Sequence, residues 1–398
     1  MLSVSDALQI VLNQAHRLKP VQFNLGREIL GLVLAEDLLA DRDSPPFDKS
    51  MMDGIAVNTS EPGPDYELSN TILAGDSLPR TLLTGQAMRI MTGASVPIGA
   101  DAVIPVEVLT ESANRRIRNN SAPPKPGKNI LKRGTEYKCG DVILPQGLVL
   151  NPAVVGLLSS IGQTELPCYP IPRICVFSSG NEIVEPHQQP VGSQIRNSNG
   201  PMLTALAEQV GAEATYLGII PDEEEKLKTE IARGSERADI VLISGGVSMG
   251  SHDLIPRILA ELATEIYFHK IAMKPGKPLL FGKLGKCLVF GLPGNPVSSL
   301  VSFILFVEPV LRKLRGEIEC EPKKVLLPLS ESLITDNDRP TYLPGRLLVQ
   351  EGMELIRPIP WAGSANLLAY KEANVLLAVP AGPVKLAPGE RVTAFRMN

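Results

Sequence analysis

The sequence predicts an α/β multidomain protein in which a doubly wound α/β domain is accompanied by two β-rich regions. Between residues 172 and 317, short β-branched runs alternate with helix-like stretches, the order typical of βαβ units in a parallel sheet. Residues 51–129 and 318–398 instead carry short strand-like runs between prolines and glycines, with little helical periodicity. A chain of 398 residues is long enough for about two to four domains.

The α/β region is predicted from alternating strands and helices. The strands are short apolar runs, typical of strands buried on both faces, at 173–177, 214–220 and 240–244. The helices are longer periodic stretches at 198–210, 223–233 and 297–311. In such sheets, ligands bind beyond the carboxyl ends of the strands. The residues that follow each strand are therefore the first candidates for a site.

The flanking regions contain shorter elements. Residues 3–18 are predicted to form an amphipathic helix capped by Ser3 or Ser5. Strand-like runs follow at 55–57, 87–91 and 102–106, and again at 324–329, 347–349, 375–379 and 392–395. The last four runs indicate a small C-terminal barrel or sandwich.

A loop of small residues follows the strand at 240–244 and contains Gly245, Gly246, Ser248 and Gly250. Glycines permit positive φ angles and a close approach of the backbone to a ligand. Consecutive backbone N–H groups at a strand-to-helix turn can bind an anion, assisted by the helix N-terminus. An ordinary βα turn explains this loop equally well.

Three lysines, Lys270, Lys274 and Lys277, lie within eight residues of an otherwise apolar segment. Pro275 and Pro278 exclude a helix here, so we expect a strand, a tight turn and a second strand. Any one of these lysines is more commonly a solvated surface residue. The group as a whole favours an oxyanion site near the turn.

A helix N-terminus is predicted close to the lysine turn. Asn295 followed by Pro296 has the pattern of an N-cap residue with proline at the first helical position. Pro293 and Gly294 precede this pair, and the four residues form a second candidate anion loop.

Three acidic residues, Glu182, Asp222 and Asp253, each follow a predicted strand. Each alone is explained as a loop acid, an N-cap or compensation of a helix dipole. Together, at one edge of a sheet and beside lysines, they suit an anionic substrate held partly through Mg²⁺. This cation takes one or two carboxylates plus substrate oxygens.

Three further polar residues lie in turns of the β-rich regions. Asp53 precedes a glycine, Thr92 opens a Thr-Gly-Ala turn, and Ser364 follows Gly363 in a possible ligand loop. Taken alone, Asp53 and Thr92 are better explained as ordinary turn formers, and the Ser364 loop is either a ligand loop or a turn.

The composition argues against several other classes of protein. The net charge of −4, without a long basic run, argues against nucleic acid as the main partner. The five cysteines are scattered without a Cys-x-x-Cys pair, which fits a reducing cytoplasm and predicts neither a zinc site nor a disulfide framework. No stretch reaches the roughly 20 apolar residues of a membrane span. Neither a Walker motif nor a GxGxxG fingerprint occurs.

Five motifs in series, spread over nearly the whole chain, resemble the molybdopterin molybdenumtransferase family of molybdenum-cofactor biosynthesis. They are SPPFDKSMMDGIAV at 44–57, RIMTGA at 89–94 with PIGADAV at 97–103, SGGVSMG at 244–250, KPGKP at 274–278 and GLPGNPV at 291–297. Their presence in family order makes the resemblance far more specific than any one of them.

The resemblance implies a domain organisation and an activity. It implies a discontinuous linker domain (1–50 and 130–171), an inserted β-rich domain (51–129), an α/β molybdopterin-binding domain (172–317) and a C-terminal β-barrel-like domain (318–398). The family's reaction is the Mg²⁺-dependent insertion of molybdate into adenylylated molybdopterin, with release of AMP. Family members are homodimers, and the enzyme that adenylylates molybdopterin is the implied pathway partner. A cytoplasmic location without membrane or nucleic-acid partners is expected.

The resemblance also implies roles for individual residues. The catalytic residues are expected to be Asp53, Glu182, Asp222, Asp253, Lys270 and Lys274. The substrate-binding residues are expected to be Thr92, Glu136, Gly245, Gly246, Ser248, Gly250, Lys277, Pro293, Gly294, Asn295 and Ser364. The Mg²⁺ ligands are expected to be Glu182, Asp222 and Asp253. Glu136 stands where the family has an aspartate.

Two alternative functions follow from the same resemblance. The chain could be a non-enzymatic scaffold like the C-terminal domain of gephyrin, which is similar to this family. A pure scaffold need not keep the acidic and lysine residues, so their presence favours an enzyme. The chain could also be a molybdopterin adenylyltransferase, whose fold is similar to the α/β domain alone. The additional N-terminal and C-terminal regions argue against that.

Overall fold

The chain folds into two compact units, seen in a computed structural model that describes residues 1–61, 63–76, 80–112, 115–247 and 254–397. The first unit contains Met1–Ala35, Gly147–Pro152 and Glu165–Asn398. The second unit contains Glu36–Gln146 and Ala153–Thr164.

The helices in the described part of the chain are mostly short. They are α1 (Val4–Gln14), α2 (Pro152–Ser160), α3 (Asn199–Gln209), α4 (Glu224–Arg237), α5 (Ile255–Glu261), α6 (Pro296–Ser302) and α7 (Glu308–Leu314). Three single turns of 3₁₀-helix occur at Arg27–Ile29, Val106–Val108 and Leu367–Tyr370.

The strands are numbered along the chain. The N-terminal strands are β1 (Val21–Asn24), β2 (Val33–Leu34), β3 (Leu38–Leu39), β4 (Lys49–Ser50), β5 (Gly54–Val57), β6 (Asp65–Ile72), β7 (Gln86–Ile90), β8 (Ala102–Pro105), β9 (Leu109–Ser112), β10 (Arg116–Asn119), β11 (Ile130–Leu131) and β12 (Val142–Leu144). The middle strands are β13 (Glu165–Tyr169), β14 (Arg173–Ser179), β15 (Ile183–Val184), β16 (Ile195–Arg196), β17 (Glu213–Ile220), β18 (Ile240–Ser244), β19 (Glu265–Phe268), β20 (Leu280–Leu284) and β21 (Cys287–Leu292). The C-terminal strands are β22 (Lys324–Pro328), β23 (Leu333–Asn337), β24 (Thr341–Gln350), β25 (Met353–Pro358), β26 (Val375–Val379), β27 (Gly382–Leu386) and β28 (Arg391–Arg396).

A six-stranded sheet with the order β17-β14-β18-β21-β20-β19 forms the centre of the first unit. The first four strands are mutually parallel, as the alternating pattern predicts. β20 and β19 are antiparallel to their neighbours. The sheet is therefore mixed at one edge, where the two-residue connection Gly285-Lys286 joins β20 to β21.

Helices cover both faces of this sheet, which confirms the doubly wound arrangement. Ile240 and Leu242 of β18 pack into a core with α1, α3, α6 and α7. Val241 and Ile243 of the same strand pack into a second core with α4 and α5. Successive side chains of a strand point to opposite faces, so a strand between two helical layers must be apolar throughout.

The predicted helix at 297–311 is interrupted. α6 passes into a π-helix, Phe303–Val307, before α7 begins at Glu308. Every residue of the π-helix is buried. Such wider turns are rare in proteins overall, but those that occur are often found at functional sites. Ser298, Ser299 and Ser302 lie on the turns that precede it, and all three are buried.

The remaining sheets of the first unit are antiparallel or small. β1-β13-β2 form a three-stranded sheet near the N-terminal helix. The C-terminal region has a five-stranded sheet in the order β22-β28-β26-β24-β25 and a two-stranded β23-β27 ladder. These strands include all four C-terminal runs that the sequence predicts.

The second unit is built on a six-stranded sheet with the order β8-β5-β7-β6-β10-β9. Ile55 and Val57 of β5 pack on one face of this sheet, and Ala56 packs on the other. Two short ladders, β11-β4 and β12-β3, complete the unit. The strands predicted at 55–57, 87–91 and 102–106 are all present.

One predicted element is wrong. The lysine segment does not form a strand on each side of a tight turn. Residues 269–279 are all described, and they form an irregular connection between β19 and β20. Isolated bridges tie this connection to Leu2 and to Thr341. Among the described helices, none is long and apolar enough to cross a membrane.

Candidate functional site

The loops at the carboxyl ends of the four parallel strands carry seven of the residues that the sequence predicts for the first unit. β14 ends at Ser179, beside Ile220 at the end of β17. On the other side, Ser178 pairs with Ser244 at the end of β18, and Ser244 pairs with Leu292 at the end of β21. The loops after these strands contain Glu182, Asp222, Gly245, Gly246, Pro293, Gly294 and Asn295. We call this group of loops the strand-end group.

Asp222 is oriented by a neighbouring strand. The buried Ser179 hydroxyl donates a hydrogen bond to Asp222 Oδ1. The Asp222 backbone N–H donates to Asn181 Oδ1 at 3.3 Å. The loop that carries Glu182 and the loop that carries Asp222 are thus joined, and both carboxylates belong to the same edge of the sheet.

Gly245 can only be glycine at its position. Its φ is +96°, and a Cβ atom there would overlap the Ser179 carbonyl oxygen. Its backbone N–H donates to the Leu292 carbonyl oxygen at 3.1 Å. The loop after β18 therefore lies directly on the end of β14 and is tied to the end of β21. Gly246 also has a positive φ, of +64°.

A cleft of about 890 Å³ lies next to the strand-end group, and its size is in the usual range for a small-molecule site. Predicted residues Lys274, Lys277, Pro293, Asn295 and Ser364 line it. The C-terminal region contributes the opposite wall, through residues 331–337 and 358–364.

Lys274 is held at this cleft by hydrogen bonds to the C-terminal region. Its Nζ donates to Asn337 Oδ1 at 2.6 Å, and its backbone N–H donates to the Pro340 carbonyl oxygen at 2.9 Å. Its own carbonyl oxygen accepts from the Tyr342 N–H at 2.7 Å. These contacts fix the ammonium group in position without neutralising its charge.

Arg339 is a cleft residue that the sequence patterns do not reveal. It lines the cleft, and its Nη1 donates to the Met273 carbonyl oxygen at 3.3 Å, next to Lys274. Its Nε pairs with Asp338 Oδ2 at 3.1 Å, and this contact lowers the pKa of Asp338. In the sequence, Arg339 followed by Pro340 in a β-rich region indicates only a turn.

The cleft has a mixed charge. Lys274, Lys277 and Arg339 bring positive charges to its lining, and Glu331 and Asp336 bring negative ones. The three basic groups converge from two regions of the sequence, which suits an oxyanion.

Asn295 confirms one expectation and departs from another. α6 begins at Pro296 with Asn295 at the N-cap, as the sequence predicts, but the side chain makes no capping hydrogen bond. Its Nδ2 donates to Ser364 Oγ at 2.9 Å instead. The Val297 N–H donates to the Ser364 carbonyl oxygen at 3.1 Å. Two residues almost seventy positions apart, both predicted from the sequence, are therefore direct partners.

In the second unit, Asp53 and Thr92 form a hydrogen-bonded pair. Asp53 Oδ1 accepts from the Thr92 backbone N–H at 2.6 Å and from Thr92 Oγ1 at 2.7 Å. These two bonds favour the charged carboxylate and lower the pKa of Asp53 below its ordinary value.

Glu136 is also held in the second unit. Its Oε2 accepts from the Ser44 hydroxyl at 2.5 Å, and its backbone N–H donates to the Ser44 carbonyl oxygen at 2.9 Å. Nearby, Asp43 accepts from Arg133 Nε at 2.6 Å and from the Cys139 N–H at 2.9 Å. These bonds lower the pKa of Asp43, with the Cys139 bond as the largest cause.

Several predicted residues remain outside these groups. Lys270 is half-buried and is not among the residues that line the cleft. Ser248, Gly250 and Asp253 lie outside the described residues. Within the described ranges, no group of three or more His, Cys, Asp or Glu side chains is close enough to hold a metal ion.

Comparisons with known proteins agree with this architecture. The MoeA N-terminal region (domain I and II) matches residues 2–162, a probable molybdopterin binding domain matches residues 175–313, and the MoeA C-terminal region (domain IV) matches residues 327–395.

Relatives and solved structures match the chain almost from end to end. The molybdopterin molybdenumtransferase of Staphylococcus epidermidis strain RP62A is 33% identical over 96% of this chain and 92% of its own length. The molybdopterin molybdenumtransferase of Haemophilus influenzae is 34% identical over 100% of this chain and 99% of its own. A crystal structure of the molybdopterin biosynthesis MoeA protein from Pyrococcus horikoshii OT3 is 27% identical, with a TM-score of 0.84 over 100% of both chains. The chain belongs to the molybdopterin molybdenumtransferase family.

Proposed function

We propose that this protein is a transferase that inserts molybdenum into molybdopterin. The observation that carries the proposal is the cleft in which Lys274, Lys277 and Arg339 converge beside the Pro293–Asn295 loop, in a chain of this family. Three basic groups around a cleft of substrate size are suited to an oxyanion such as molybdate.

The finer proposal concerns the substrates. Molybdate is the incoming oxyanion and adenylylated molybdopterin is the acceptor, with AMP as the leaving product. Lys274 and Lys277 bind oxygens of molybdate or of the phosphate and offset negative charge as AMP leaves. Lys270 is proposed to assist from the same connection. The backbone of Gly245, Gly246, Ser248 and Gly250 and of the Pro293–Asn295 loop contacts the substrate oxygens, and Ser364 orients Asn295.

We propose that Mg²⁺ binds at the strand-end group. Glu182 and Asp222 follow neighbouring strands, and Mg²⁺ is commonly held by one or two carboxylates plus substrate oxygens. We propose these two acids, with Asp253, as its ligands. When bound, the cation would neutralise charge on phosphate oxygens. Ser179 keeps Asp222 oriented toward this role through its hydrogen bond.

Asp53, Thr92 and Glu136 are proposed as substrate-contacting residues of the second unit. The Asp53 carboxylate accepts two hydrogen bonds from Thr92, which lower its pKa, and Glu136 is kept in place by Ser44. A longer side chain at Glu136, relative to the family's aspartate, would bring its carboxylate further from its backbone.

The domain organisation and partners are proposed from the same family membership. We propose the four-domain division that the family implies, a homodimer, and an adenylylating enzyme as the supplier of the activated substrate. The free cysteines fit the reducing cytoplasm.

One assay separates the proposed function from its alternatives. The purified protein is incubated with adenylylated molybdopterin, Mg²⁺ and molybdate, and AMP and molybdenum bound to molybdopterin are measured. We expect both products in equal amounts and no AMP when molybdate is omitted. Formation of adenylylated molybdopterin from ATP and molybdopterin would indicate an adenylyltransferase instead. No product in either arm would support the scaffold.

A further inference from the structure

Asn199 lies between two loops of the strand-end group and is not among the residues that the family resemblance singles out. It is the first residue of α3 and is 7% exposed. Its Nδ2 donates to Ser244 Oγ at 2.7 Å and to the Gly294 carbonyl oxygen at 2.7 Å. One side-chain amide thus joins the ends of β18 and β21.

The orientation of this amide is determined by its partners. The Gly294 carbonyl oxygen can only accept a hydrogen bond, so the Asn199 atom that faces it must be the donor nitrogen. Both hydrogens of Nδ2 are then used, one for each loop. The Ser244 hydroxyl acts as the acceptor of the second bond.

The other amide atom, Oδ1, has no such contact within the described ranges of the chain. Asn199 Oδ1 is buried and has no hydrogen-bond partner among the described residues. A buried polar atom without a partner reduces stability, and such atoms are rare in native proteins. An apolar residue at this position would leave the Gly294 carbonyl oxygen and the Ser244 hydroxyl without this donor, so the asparagine is needed for the two contacts that join the loops.

The two joined loops belong to different parts of the site. Ser244 immediately precedes Gly245 and Gly246 at the sheet edge. Gly294 lies between Pro293 and Asn295, which line the cleft with the lysines. A Cβ on Gly294 would be 4.0 Å from the Gly245 Cα, so the two loops also pack directly on each other.

We propose that Asn199 is a positioning residue that fixes the loop after β21, which contains Gly294, against the loop after β18, which follows Ser244. This contact aligns the lysine-lined cleft with the other loops of the strand-end group. This inference rests on the proposed function for its catalytic consequence. Binding groups that are held in place before the substrate arrives lose less free energy on ordering. Without the two donors of Asn199, the Gly294 carbonyl and its neighbours would sample other positions.

Three variants test the positioning role. Asn199→Ala removes both donors, and Asn199→Asp keeps the size but replaces the donors with oxygens that repel the Gly294 carbonyl. Asn119→Ala is the matched control, because Asn119 is 6% exposed, belongs to the second unit and has its hydrogen bonds with Ser121 and Ala122. Folding stability is measured by urea unfolding for all of them.

The first readout is hydrogen exchange and needs no activity. We expect both Asn199 variants to exchange about tenfold faster than wild type in peptides covering 244–247 and 291–295, because local opening becomes easier. Asn119→Ala should leave these peptides unchanged. Unchanged exchange in both Asn199 variants would overturn the inference, even if the wild-type protein lacked the proposed activity.

The second readout is catalytic. We expect both Asn199 variants to lower kcat for molybdate-dependent AMP release about tenfold or more, with Asp no better than Ala. Asn199→Ala and Asn119→Ala each remove a buried side-chain amide with its hydrogen bonds, so comparing their urea midpoints shows whether a loss of kcat follows a general loss of stability. Asn199→Asp with wild-type kcat would show that packing matters and donation does not, which would contradict the proposal. An inactive wild-type protein would instead refute the proposed function.

Discussion

At the scale of single residues, the side chains at these sites are held by partners that sequence patterns do not identify. The sequence predicts Lys274 as one of three lysines, but its partner Asn337 lies 63 positions away. It predicts Asn295 as a helix cap, and the side chain bonds Ser364 instead. Turn and cap patterns are local, whereas these contacts depend on how distant segments pack. The residue type is therefore predictable, and its partner is not.

The pKa of Asp53 tests such a contact directly. Both hydrogen bonds from Thr92 favour the carboxylate, so the folded-state pKa lies below the unfolded value. The resulting stabilisation is present above the unfolded pKa and is lost as the pH falls through the folded pKa.

Thr92→Val should raise the pKa of Asp53 part of the way back toward its ordinary value. The substitution removes the Oγ1 bond and keeps the backbone N–H bond, which is the larger cause of the shift. The pKa is measured by NMR titration of the Asp53 carboxyl carbon in both proteins. An identical pKa in the variant would show that the Thr92 hydroxyl does not bind Asp53 in solution.

At the scale of elements, the alternation of apolar runs and helical periods predicts the parallel part of the sheet correctly. β18 is predictable as a strand because an apolar run of this length suits burial between two helical layers. The sequence patterns do not identify the antiparallel edge formed by β19 and β20, although the two-residue connection Gly285-Lys286 between β20 and β21 can join only antiparallel strands. The π-helix at Phe303–Val307 is also missed, because its sequence is uniformly apolar.

Gly245→Ala should reduce both stability and activity, because alanine there combines a positive φ with an overlap on the Ser179 carbonyl oxygen. The backbone conformation alone costs a non-glycine residue about 1–3 kcal/mol. Gly285→Ala is the matched control, since Gly285 has a φ of +61° and an added Cβ there would have no neighbouring atom within 4 Å.

We expect urea unfolding to show a larger loss of stability for Gly245→Ala than for Gly285→Ala. Only Gly245→Ala should also lower the rate of AMP release, because only this glycine lies in the strand-end group. Equal losses in the two variants would mean that the contact with β14 contributes nothing beyond backbone strain.

At the scale of the whole molecule, the order of motifs along the chain indicates the family, whereas packing determines the composition of the cleft. Arg339 is not predicted, because no sequence pattern in residues 318–398 distinguishes one charged residue from the others. Lys270 is predicted with Lys274 because the two are close in sequence, yet it does not line the cleft. Proximity in sequence is a poor guide inside an irregular connection, where successive side chains point in unrelated directions.

The protein should sediment with the mass of two chains. This expectation follows from the homodimer that is proposed from family membership. Sedimentation equilibrium over a range of concentrations measures the mass. A single-chain mass at micromolar concentration would contradict the proposed homodimer.

The proposed reaction depends on the cleft beside the Pro293–Asn295 loop, where lysines are expected to bind the oxyanion. The most direct measurement compares molybdate-dependent AMP release by Lys274→Ala with release by Lys286→Ala. Lys286 is exposed in the turn before β21, at the end of that strand away from the cleft. Loss of a preorganised group that stabilises charge lowers the rate about 10²-fold, so we predict a loss of this size for Lys274→Ala and none for Lys286→Ala. If Lys274→Ala instead releases AMP at a rate within about twofold of wild type, Lys274 does not bind the oxyanion in the reaction.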